Sequence, residues 1–212
     1  MSVLNRIAHF QNRRDEVPNQ ELARDLAAKK DKAGIREIAE HLWDKNANIS
    51  ADCIKVLYEV GYIDPTLIAD YVDDFARLLT NRNNRLVWGG MIAIAEAARA
   101  NPDGVYKHLA EIKKAMDAGS VITVDSAVKA LALTASAKAE YNAAIFPTLF
   151  KHLQTCRPKD VAQHSEKTLP AVTAANKTKF ISVLEKRMED LSGSALSRVK
   201  KVIKQASLIA EN

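Results

Sequence analysis

The feature that most constrains this chain is a ladder of apolar residues that returns every 37 positions. Val72, Leu109 and Phe146 form one series, Phe75, Ile112 and Leu149 a second, and Leu79, Met116 and Leu153 a third. Ile35, Ile38 and Leu42 stand one interval earlier; Ile181, Leu184 and Met188 stand one interval later, shortened by two residues. Within each copy the residues lie three and four apart, the spacing of one helix face. A second set repeats between them: Val87 matches Val124 and Val161, and Leu57 matches Ile94 and Leu131. Each copy is therefore a helix pair. The first helices are expected near 33–43, 65–79, 103–117, 139–155 and 175–190, and the second near 50–61, 83–100, 121–136, 159–172 and 194–208. A pair of this size cannot bury its apolar face alone, so neighbouring copies must stack.

Local signals agree with that register. Asp64 before Pro65 and Asn101 before Pro102 place an N-cap and a first-turn proline in order, and Ser50 and Ser194 are further cap candidates. No period-two run bounded by turn residues argues for a strand. Residues 2–13 and 18–30 keep helical apolar spacing (Leu4, Ile7; Leu22, Leu26) but fall outside the repeat, as two end-cap helices would. Cys53, Gly90 and Ala127 occupy one repeat column, and all are small. Gly89 and Gly90 each weaken a helix by about 1 kcal/mol, which close helix approach would offset. Pro147 stands inside the run "NAAIFPTLFKHLQ", where a helix interior loses ~3 kcal/mol to it.

The pattern over roughly 33–208, with "IFPTLFKHL" as its most characteristic stretch, resembles the HEAT repeat family of armadillo-type helical repeats. The resemblance implies an all-α, right-handed α-α superhelix of about five helix pairs, forming one domain over 1–212 with residues 1–30 as its N-terminal cap. It implies that Pro147 bends an outer helix and that the second helices line an inner, concave face. Asp117 matches the family's turn aspartate, whereas Trp88 and Asp125 stand where a basic residue is usual. Such solenoids present a rigid groove to a partner protein or peptide, and a non-catalytic scaffold is the expected role. Trp88, Asp125, Lys129, Lys167, Lys201 and Lys204, all on second helices, are the candidate binding residues. An inner-face Trp beside an Asp also resembles the HEAT-like alkylpurine DNA glycosylases, so a DNA-binding protein or glycosylase is the alternative.

Composition narrows the remaining classes. The formal charge is +5, but +4 of it lies in the 38 residues from Ala175 onward. That basic end is a candidate for nucleic acid through Arg198, Lys201 and Lys204, or simply the polar outer face that a terminal repeat needs. No stretch reaches the ~20 apolar residues of a membrane span. The first residues, "MSVLNRIAHF", lack the apolar run of a secretory leader. Two cysteines cannot build a disulfide framework, and a cytoplasmic setting is expected. His9, His41, His108, His152 and His164 are scattered, without a His-x-x-x-His or Cys-x-x-Cys motif. No metal, cofactor or catalytic residue is expected, "HSE" at 164–166 reads as helix surface, and Cys53 and Cys156 read as inert thiols.

Overall fold

The computed structural model describes residues 2–210. Twelve α-helices and several 3-10 turns account for the ordered elements among them, with no strand. The chain divides into two compact units, Met1–Ala130 and Leu131–Asn212, with the division inside one helix. The first unit contains α1 (Val17–Lys29), α2 (Lys32–Glu40), α3 (Ala47–Ile63), α4 (Val72–Leu78), α5 (Asn84–Ala97), α6 (Pro102–Lys107), α7 (Leu109–Ala118) and most of α8 (Val121–Ala135). The second contains α9 (Ala139–Thr155), α10 (Pro158–Thr168), α11 (Lys177–Arg187) and α12 (Gly193–Ser207).

The apolar ladder is the core of both units. Ile38, Phe75, Ile112 and Leu149 are each 0% exposed, as are Leu57, Ile94 and Val161 on the second helices. In the last copy the buried residue is Phe180 rather than Ile181. Phe180 answers to Ile145, and Leu184 to Leu149, so both partners of this shortened interval lie 35 residues apart.

In two copies the first helix comes in two pieces. The stretch from Pro65 runs as 3-10 turns to Tyr71 before α4 begins, and α6 stops at His108 before α7. Tyr71 (φ −98°, ψ 13°) and His108 (φ −102°, ψ 24°) both leave helical geometry and are equivalent by the 37-residue count. Around His108 the repeat is thus a trio, α6–α7–α8, rather than a pair. The helix that carries Pro147 is, by contrast, continuous: α9 runs through it, with the proline ring exposed.

The small column packs as expected. A Cβ on Gly90 would lie 2.9 Å from the Phe75 carbonyl oxygen and 3.1 Å from Leu78 Cβ, so α5 meets α4 almost backbone to backbone. A Cβ on Gly89 would come within 2.9 Å of Ile54 on α3.

Three local expectations are corrected. Residues 2–13 form one 3-10 turn, Leu4–Arg6, followed by tight turns that end at Asn12 (φ 55°). The amides of Ala8 and His9 bond the side chains of Asn19 and Asp52 instead of a preceding carbonyl, which draws the backbone out of a helix. Ser50 lies inside α3, buried, with its hydroxyl on the Ala47 carbonyl; the cap is Asn46, whose side chain accepts from the Asn48 amide. The last helix begins at Gly193, with Ser192 rather than Ser194 at its N-cap. Asp64 and Asn101 do cap their helices, accepting from the amides of Thr66 and Gly104.

Candidate functional site

On α3 of the first unit, Lys55, Tyr58, Glu59 and Tyr62 share one face by their spacing of three and four. Lys55 is buried, and its ammonium holds Glu16 at 2.7 Å and Glu59 at 2.6 Å while lying 4.8 Å from the centre of the Tyr58 ring. Burial alone would drive its pKa down; the hydrogen bonds to Glu16 and Glu59 outweigh it and hold the pKa above the ordinary lysine value. The amine therefore stays charged across the physiological range.

Tyr58 is the hinge of an aromatic row. Its ring stands edge-on to Tyr62 at 5.8 Å and tilted against Trp88 of α5 at 6.2 Å. Tyr62 is 54% exposed. Partial burial and the nearby Glu96 carboxylate push its hydroxyl up to about 12, so it remains a neutral donor. Glu96, on α5, packs its Cβ against the backbone at Gly61. Its carboxylate receives Lys129 of α8 at 2.6 and 2.7 Å. Helices α3, α5 and α8 thus build one amphipathic strip, Tyr58–Tyr62–Trp88 flanked by Glu96–Lys129.

Of the residues picked from the sequence, Trp88, Asp125 and Lys129 lie in the first unit. Trp88 is half-buried against Tyr58, Lys129 is committed to Glu96, and Asp125 is half-buried near the start of α8. Lys167, Lys201 and Lys204 lie in the second unit, Lys167 half-buried on α10, Lys201 and Lys204 exposed on α12. Glu166 binds Arg198 at 2.6 and 2.8 Å; that hydrogen bond, with a weaker pull from Lys201, holds its carboxyl below the usual range.

Tyr58, Tyr62 and Glu96 were missed by reading the repeat columns alone. The four-residue spacing of the tyrosines was a visible signal, whereas the Glu96–Lys129 pair spans 33 residues and is not in register with the repeat. The histidines are not all scattered either. In the second unit the fold brings His152, Cys156 and His164 together, with His152 Nε2 and His164 Nδ1 2.8 Å apart.

No family model matches the chain, and no curated protein matches it. Solved structures do. An engineered protein covers 98% of this chain and 97% of its own at TM-score 0.69 and 16% identity. A designed armadillo repeat protein in complex with peptide (KR)4 covers 89% of this chain and 85% of its own at TM-score 0.67 and 17% identity. Computationally designed armadillo repeat proteins for modular peptide recognition cover 91% and 94% at TM-score 0.65 and 15% identity. The fold is an armadillo/HEAT-like helical repeat.

Proposed function

We propose that this chain is a non-catalytic binding module that receives an extended segment of a partner protein or peptide on the second helices of its first unit. The observation that carries the reading is the aromatic strip: Tyr62 exposed, continuous with Tyr58 and Trp88, and bordered by the Glu96–Lys129 pair. Tyrosine and tryptophan supply large, stiff contact area at small entropic cost and dominate binding hot spots. Around the strip stand Glu16, Glu59 and Glu96 against Lys55 and Lys129, an acidic surplus suited to a segment with cationic side chains. The designed relatives that hold peptides support the same kind of use. The module acts as one repeat domain over 1–212, in a reducing compartment where Cys53 and Cys156 stay free of disulfides.

A second reading attaches to α12. Lys200, Lys201 and Lys204 are exposed there, and phosphate on a nucleic acid is their natural counter-charge. One experiment separates the two. A photo-crosslinking residue is placed at position 62, and in a control at exposed Lys114 on α7, and each protein is exposed to source-cell lysate with and without nuclease. A nuclease-resistant adduct from position 62 that is absent at position 114 is expected. Adducts lost on nuclease treatment, or equal at both positions, would reject the peptide face.

A further inference from the structure

We infer that His152, Cys156 and His164 form a binding site for a single borderline-soft transition metal ion, of the zinc class. His152 and Cys156 lie four residues apart across the C-terminal turn of α9, the spacing that puts two side chains on one helix face. Cys156 is the C-cap, its amide bonded to the His152 carbonyl at 2.8 Å. Pro158 then starts α10 at once, and that short reversal brings His164, 2% exposed, to the same place. One nitrogen of each imidazole and the cysteine sulfur all lie within 4.8 Å of one another.

That triangle is close to a ligand set. A tetrahedral zinc ion sets its nitrogen ligands about 3.3 Å apart and nitrogen and sulfur about 3.6 Å apart. The two imidazole nitrogens stand at 2.8 Å and must open by about half an ångström, while the sulfur, within 4.8 Å of both, must close by up to about an ångström. In their present contact one nitrogen donates to the lone pair of the other; once the donor histidine shifts its proton to its other ring nitrogen, both lone pairs face the space between them. A pair of histidines sharing a proton needs no third partner, yet a soft sulfur donor completes the set. Nitrogen and thiolate ligands select zinc-like ions against magnesium and calcium, which prefer oxygen.

The surroundings hold the backbone at Cys156 in position. Arg187 of α11 donates to the Leu153 carbonyl at 2.7 Å and the Cys156 carbonyl at 2.8 Å, tying down the end of α9. Burial raises the Cys156 thiol pKa, and the Arg187 guanidinium opposes that rise. The arginine's own charge is met by Asp190 at 2.9 Å. On binding, Cys156 loses its proton to solvent, the proton between the two rings moves through solvent to the other nitrogen of the histidine that carried it, and the ion takes the thiolate, two neutral imidazoles and, in the fourth position, water or a partner's side chain. The ion would clip α9 to α10.

The test uses the full chain, reduced and stripped with a chelator, then titrated with Co²⁺ as a spectroscopic probe and Zn²⁺ as competitor. One equivalent of Co²⁺ should bind, with a thiolate-to-cobalt charge-transfer band and tetrahedral d–d bands that Zn²⁺ abolishes. Cys156→Ser should remove the charge-transfer band, and His152→Gln should weaken Zn²⁺ binding roughly ten-fold or more. Both sites are only half-buried, so circular dichroism should show both variants folded. Absence of a charge-transfer band in the parent protein, or a band that persists in folded Cys156→Ser, would overturn the proposal. So would Zn²⁺ affinity unchanged in both variants.

Discussion

At the scale of the residue, two side chains test the packing from opposite directions. Leu149 is fully buried in the second unit, so Leu149→Ala should lose ~2–5 kcal/mol through the lost transfer energy and the cavity left behind. Chemical denaturation would show it; a loss below about half a kcal/mol would place Leu149 outside the core. Gly90 has the reverse problem. A new methyl there gains about 1 kcal/mol of helix propensity. It also meets the Phe75 carbonyl oxygen at 2.9 Å, a backbone atom that cannot swing away as a side chain could. Gly90→Ala should therefore destabilise, by about 1–3 kcal/mol as other overpacked sites do.

At the scale of the element, α9 and the N-terminal turn make separate predictions. Pro147 removes one amide donor from a helix that nevertheless continues on both sides, and its ring is exposed rather than packed. Pro147→Ala should keep the fold and raise stability by about 1–3 kcal/mol, read as a higher denaturation midpoint. A drop would show that the ring packs against something essential. The N-terminal turn is held by Glu37 of α2, which accepts from the Ser2 hydroxyl and from the Val3 amide at 3.0 Å. Burial pushes that carboxyl upward, but those hydrogen bonds prevail and its pKa is lowered overall. A depressed carboxyl contributes fully above its unfolded pKa and loses that contribution as pH falls through the folded one. Hydrogen exchange at Val3 should therefore quicken, relative to the intrinsic rate, below the ordinary glutamate range. In Glu37→Gln that acid-dependent change should vanish.

At the scale of the whole chain, the basic C-terminal end is less available than its formal charge suggests. Arg198 is bound to Glu166, Arg187 to Asp190 and two carbonyls, and Lys177 to the Ile209 carbonyl. Duplex DNA should bind weakly, with affinity falling as salt rises. Replacing Lys201 and Lys204 by Ala should flatten the logarithmic slope by up to about two units, since each duplex phosphate contact contributes about 0.9. Alkylated duplex should release no base; release that disappears in Asp125→Asn would instead make this an enzyme with Trp88 and Asp125 at its centre.

The repeat itself was legible without coordinates, because helix faces are periodic and stacked copies must all bury the same columns: Phe75, Ile112 and Leu149 announce one another. The caps Asp64 and Asn101 were legible because capping is settled within a few residues. Part of the candidate strip was legible too, since Trp88 stands in a repeat column. The breaks at Tyr71 and His108 were not, because a side-chain pattern continues across a change of φ and ψ too small to shift its face. Nor was the choice of Asn46 over Ser50, since both residue types cap helices well and either could begin α3. The pairing of Lys129 with Glu96 and the meeting of His152, Cys156 and His164 belong to the tertiary structure alone. Glu96 and Lys129 come from different helices, as does His164 from the α9 pair His152 and Cys156, and which polar atoms converge depends on helix rotation and loop length, quantities that an apolar ladder leaves undetermined to within a residue or two.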